Sequence, residues 1–145
     1  MIRRSFLLVL ACLVCVSSVH AREDIQSFPI EPVLNSDDGK EKLAGVTFYF
    51  GDQAHPKVVQ EFGEWTTSKK TNAFNKSDQE ACDWAFLTAL IAMQQRALRE
   101  GGNAVIDIKS NYKNVETSSQ TEYNCGAGNL VAGVALKGTV VKIEK

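Results

Sequence analysis

The stretch that decides the fold is residues 77–108, SDQEACDWAFLTALIAMQQRALREGGNAVIDI. Ser77 followed three residues later by Glu80 is a capping box: the hydroxyl can accept from the Glu80 amide while the Glu80 side chain reaches back. The spacing predicts a helix from there to about Glu100, halted by Gly101-Gly102. Trp84, Leu87, Ile91 and Leu98 share one stripe, and Phe86, Leu90, Met93 and Ala97 form the adjoining one. Together they make a face wider than one side of an exposed helix. Its first half is therefore expected against a sheet and a second element, with Trp84 and Phe86 in the core. Gln94, Gln95, Arg96, Arg99 and Glu100 mark a more solvated second half. Residues 103–108 read as a strand entered directly from the helix.

Upstream, Val46, Phe48 and Phe50 alternate with Thr47 and Tyr49, the pattern of a half-buried strand. Residues 51–56 break it, and residues 58–65 read as a second strand, antiparallel to the first. Residues 66–76 are polar and read as a loop. Downstream, residues 111–121 are loop-like, and 122–125, 130–136 and 139–143 have strand character, interrupted by Gly126, Gly128, Gly133 and Gly138. The order ββαβββ predicts an α+β domain over residues 45–145: one long amphipathic helix on a four- or five-stranded, mostly antiparallel sheet. Residues 22–44, with Pro29, Pro32 and the turn signal Asp37-Asp38-Gly39, read as an extended arm with a helical turn near residues 40–43.

The first 21 residues have the layout of a secretory signal peptide. Arg3-Arg4 is a positive head, residues 6–16 are apolar, and small residues lead to cleavage after Ala21. The apolar run is shorter than the ~20 residues a membrane anchor needs. A lipoprotein would acylate Cys12 or Cys15, but an apolar stretch follows Cys12 where a polar one is required. The expected product has no membrane span and is periplasmic or released. Of 145 residues, 23% are charged and 44% hydrophobic, which excludes disorder and coiled coil. Removal of Arg3 and Arg4 leaves 14 basic and 17 acidic residues, a net charge of −3. That balance gives no case for nucleic acid, which selects a clustered basic surface.

Cleavage also leaves two cysteines, Cys82 and Cys125, 43 residues apart. An even count in an oxidising compartment reads as one disulfide. A two-thiol metal or redox site is the alternative, but there is no Cys-x-x-Cys spacing and no neighbouring histidine.

The helix–Gly102-Asn103-Ala104-Val105–strand segment, the late cysteine, residues 134–141 (VALKGTVV), 48–53 (FYFGDQ) and 70–78 (KTNAFNKSD) resemble a group of small secreted bacterial proteins of unknown role. Some of these carry the inherited name excinuclease ATPase subunit. The resemblance spans residues 43–143. The chain has no Gly-x-x-x-x-Gly-Lys-Ser/Thr loop and so lacks the phosphate cradle that this name implies. The helix–Gly–strand segment is also similar to the YbjQ-type domain and to RcsF, an outer-membrane stress sensor. The RcsF likeness implies a partner-binding envelope module with disulfides, from which this chain departs by having one bridge and no lipidation cysteine. The YbjQ likeness implies heavy-metal binding, for which the chain shows no motif.

The chemistry-bearing residues are sparse. His55 is the one mature histidine, and Asp52 three residues before it could join it in chelating a metal or in acid–base work. Zinc takes three or four protein ligands, so a polar hairpin tip accounts for the pair better. Asp37, Asp38 and Glu41 lack calcium-loop spacing. Gly126-x-Gly128 lacks a third glycine and a following helix, and Ser118, Ser119 and Asp107 make no triad. Lys69, Lys70 and Lys76, with Trp65 and Phe74, form a basic and aromatic loop that could touch acidic glycans, lipid headgroups or an acidic partner, although a solvated loop is the plainer account. The sequence therefore predicts a non-catalytic periplasmic binding or adaptor module without a cofactor. Its expected partner is an envelope protein or an acidic surface ligand. A small-ligand or metal-binding secreted protein is the second reading.

Overall fold

The computed structural model describes residues 22–145, so the expected signal peptide lies outside the described residues. Six strands, two short helices and one long helix follow one another as β1 (Asp24–Pro29), α1 (Glu31–Asn35), α2 (Asp37–Lys42), β2 (Thr47–Phe50), β3 (Val58–Asn72), α3 (Asp78–Glu100), β4 (Ala104–Ser110), β5 (Glu122–Ala127) and β6 (Val131–Ile143). A 3₁₀ turn at Tyr112–Asn114 lies between β4 and β5. The α+β class, the long helix and the disulfide are as expected from the sequence.

Helix α3 starts and stops where its local chemistry requires. The Ser77 hydroxyl accepts from the Glu80 amide at 3.1 Å. Gly101 takes φ +83°, a left-handed cap conformation that disfavours side chains, and the Gly102 amide returns to the Ala97 carbonyl at 2.8 Å. Ala81, Ala85 and Ala89 recur at i, i+4, i+8 and are fully buried with Phe86, Leu90, Met93 and Ala97. Small residues along this line let the helix axis approach the sheet closely. The buried face is consequently narrower than two full stripes. Trp84 and Leu98 stay 42% and 52% exposed, which corrects the placement of Trp84 in the core. Its ring instead lies under the Lys42 ammonium, 5.6 Å from the centroid. Gln94 is buried rather than solvated, because its amide donates to the Ala44 carbonyl at 2.6 Å.

The sheet runs β1-β5-β6-β4-β2, with β3 on the other edge of β6. β6 is its axis. It pairs with β3 along its whole length on one side, and on the other with β5 through Ala132 and Gly133, then with β4 from Leu136 to Val141. Pairing on both edges carries β6 unbroken through Gly133 and Gly138, where two strands were expected. β2 and β3 do not form the expected antiparallel pair: β2 lies parallel to β4, and β3 belongs to β6. The expected loop at residues 66–76 is strand as far as Asn72. The supposed arm at residues 22–44 is part of the domain. Its β1 pairs antiparallel with β5, and Ile30 and Val33 are buried. Pro29 ends an edge strand and Pro32 opens a helix, positions where a missing N–H costs nothing.

The sheet curls around α3. Phe86 stacks on Tyr123 of β5 with centroids 4.0 Å apart, while Phe50 of β2 and Phe28 of β1 flank this pair at 6.0 and 6.1 Å. Cys82 near the start of α3 is joined to Cys125 in β5, and both are fully buried. The Tyr123 hydroxyl donates to Asp83 at 2.6 Å. Burial pushes the Asp83 carboxyl above its ordinary range, partly offset by that hydrogen bond.

Candidate binding surface

At one end of the sheet, β3 and β6 finish together. Asn72 pairs with Val131, and the Ala73 amide donates to the Leu130 carbonyl at 2.8 Å. Two turns, at 73–77 and 128–130, are thereby held side by side. The first is shaped by Asn72, whose side-chain oxygen accepts from the Phe74 amide at 2.8 Å, and by Asn75 at φ +58°. In the second, the Gly128 amide donates to the Val131 carbonyl at 3.0 Å. This geometry leaves three apolar side chains projecting: Phe74 (60% exposed), Leu130 (64%) and Val131 (49%).

Behind these turns, on the sheet face opposite α3, Ile25, Gly126, Gly133 and Lys70 form one cross-strand row. The Tyr112 ring lies across its two glycines. A Cβ on Gly126 would fall 2.1 Å from the Tyr112 hydroxyl oxygen, and one on Gly133 would lie 3.4 Å from the ring and 3.6 Å from Lys70 Cγ. The sheet therefore needs glycine at 126 to seat the tyrosine. Tyr112 donates to Glu23, which also accepts from Lys113 at 2.8 Å. Burial, then the Glu23 hydrogen bond, push the Tyr112 hydroxyl up to about 12, and Lys113 and Tyr112 hold Glu23 below the usual carboxylate range. An open depression of about 510 Å³ runs from Tyr112 past Lys70 to Leu130 and Val131.

The residues singled out from the sequence divide between places. Lys70, Phe74 and Lys76 gather at this end, with the Lys76 ammonium donating to the Asn72 carbonyl at 3.0 Å. Lys69 is its neighbour on β3, but alternation turns it to the α3 face, the side of Trp65 and buried Thr67. Trp65 stands further back on β3, packed on the core with the Arg96 guanidinium 5.7 Å from its ring, so it is not part of the surface. Tyr112, Leu130, Val131 and the paired glycines were missed. The signals available were the Leu130-Val131 pair beside a turn and the spacing of Gly126 and Gly133.

Asp52 and His55 lie elsewhere, in the turn after β2, each with another partner. Asp52 accepts from the Gln120 side chain at 2.6 Å. His55 Nδ1 is 2.8 Å from the Pro56 carbonyl, and its ring stands edge-on to Tyr49 at 5.6 Å. A carbonyl only accepts, so Nδ1 carries the proton there. Among the described residues, no three His, Cys, Asp or Glu side chains come together as a metal site. Asp37 and Asp38 serve the first turn of α2, where Asp38 pairs with Lys42. Beside Gln120, a cleft of about 520 Å³ opens between the two sheet edges, lined by Pro29, Leu34, Phe48 and Phe50.

No helix among the described residues is long and apolar enough to cross a membrane. No family model matches the chain, and no curated protein or solved structure matches it. The surface is therefore read from its own chemistry.

Proposed function

We propose that the chain is a non-catalytic binding module of the periplasm, which holds an envelope partner or an acidic surface ligand with the end of the sheet built by residues 70–76 and 128–131. One observation carries this reading: Phe74, Leu130 and Val131 stand exposed together, on two turns tied by the Ala73–Leu130 hydrogen bond, beside the cation of Lys70. Contiguous exposed apolar groups rimmed by polar ones mark interaction sites, whereas single exposed apolar residues do not. The buried disulfide fits an oxidising compartment. A metal or small ligand at Asp52 and His55 is the weaker reading, since no third ligating side chain joins them among the described residues.

The test is site-specific photocrosslinking in the native cells. A photoreactive residue at Phe74 should trap adducts that the same residue at Val59, exposed at the far end of β3, does not. Lys70→Glu or Leu130→Ser should abolish them. Identical adducts from both positions, or none from Phe74, would overturn the reading.

A further inference from the structure

We propose, resting on the binding-module reading, that what this end of the sheet engages is the surface of an anionic lipid bilayer, with Phe74, Leu130 and Val131 seated among the headgroups and Lys69, Lys70 and Lys76 on their phosphates. The shape comes first. Phe74 and Leu130 stand on two adjacent turns with Val131 at the start of β6, and together they project as a small apolar rim at the mouth of the depression that Leu130 and Val131 line. A stable protein interface covers about 800 Å² on each partner with well-packed complementary surfaces. An apex of three side chains is poorly suited to that and well suited to entering a soft interface, where aromatic rings are favoured at headgroup level.

The charges around the apex support the same occupant. Arg22 is shared by Asp24 at 2.7 Å and Asp78 at 2.5 Å, which leaves one net negative charge there, and Glu23 is balanced by Lys113 at 2.8 Å. Among the described residues, Lys69, Lys70 and Lys76 take part in no ion pair. Against these three cations stand Glu80 in the first turn of α3 and the one negative charge left among Arg22, Asp24 and Asp78, so the end keeps a small positive excess. Because Lys69 and Lys70 point to opposite faces of β3, cations stand on both sides of the apex. They lie two to three residues from the strand's end at Asn72, a span of roughly 10 Å. That is about the distance over which an anionic surface attracts basic side chains at physiological salt. The mode is peripheral, the apex entering the interface while the sheet remains in water.

The purified protein would be sedimented with phosphatidylcholine vesicles, with and without phosphatidylglycerol. Binding should require phosphatidylglycerol and weaken as salt is raised. The Lys69→Ala, Lys70→Ala double change should lower partitioning about 30-fold, and Phe74→Ser roughly tenfold. These side chains are exposed or half-buried, and an unchanged near-ultraviolet circular dichroism spectrum would show that each variant keeps its fold. Equal partitioning to both vesicles, indifference to these changes, or no binding would each overturn the proposal. Should the Phe74 crosslinks trap a protein while vesicles retain nothing, the lipid assignment falls and the binding-module reading stands. Should both experiments fail, the two fall together.

Discussion

Replacing Cys82 and Cys125 together by alanine tests the chief staple of the fold. The bridge closes a loop of 43 residues. In the chain-entropy description, this removes freedom from the unfolded state worth about 4 kcal/mol at 25 °C. Both cysteines are completely buried, so deleting two sulfurs also leaves voids against Phe86 and its neighbours, adding roughly 1 kcal/mol. A total near 5 kcal/mol is a large part of the ~5–15 kcal/mol that holds a domain folded. The assay is urea unfolding of the oxidised protein and the double variant at neutral pH. With a slope of roughly 2 kcal/mol per molar, the midpoint should fall by about 2.5 M. Thiol reagents should also leave the native bridge intact until urea opens the core, because neither sulfur meets solvent. A midpoint shift below roughly 0.5 M, or rapid reduction without denaturant, would refute the reasoning.

Two further outcomes follow from the packing. Gly126→Ala should cost about 1–3 kcal/mol in urea unfolding, because its Cβ would fall 2.1 Å from the Tyr112 hydroxyl oxygen; adding Tyr112→Ala should cancel most of that increment, and simple additivity would contradict the seating of the ring on the glycine. The Asp83 carboxyl is raised by burial, so the native state binds its proton more tightly than the unfolded chain does. Its contribution to stability is fully present below the unfolded value near 3.9 and is lost as pH rises through the raised folded value. Asp83→Asn, which keeps an oxygen for Tyr123, should therefore gain on the wild type as pH rises above about 4 in thermal melts; a constant difference would contradict the assignment.

The features legible in the sequence were those written locally. Ser77 and Gly101 bound α3 through contacts within one turn, and the two cysteines among the described residues admit one pairing. The pairing of β2 was not local. Neighbouring strands with a short connection suggest a hairpin, but a parallel partner can be reached when a long crossover intervenes, and α3 lies within that crossover. β3 beyond Trp65 was hidden because Ser68, Lys69 and Lys70 are polar; the strand exists because β6 supplies hydrogen bonds along it. The same misreading made Lys69 and Lys70 one patch, whereas neighbours on a strand face opposite ways. Tyr112, Leu130 and Val131 reach the surface through β5–β6 pairing, which no local pattern announces.

The position of β6 at the axis of the sheet has a bearing on how the chain acquires its structure. The strand that β3, β4 and β5 all pair with comprises residues 131–143. All three precede it in the chain, and none of them can complete the sheet without it. Non-local pairing of this kind slows folding, since loops must close before their contacts reward them. Assembly of the sheet is thus one concerted late step of folding, in which β3, β4 and β5 gather on a common partner instead of pairing off one by one.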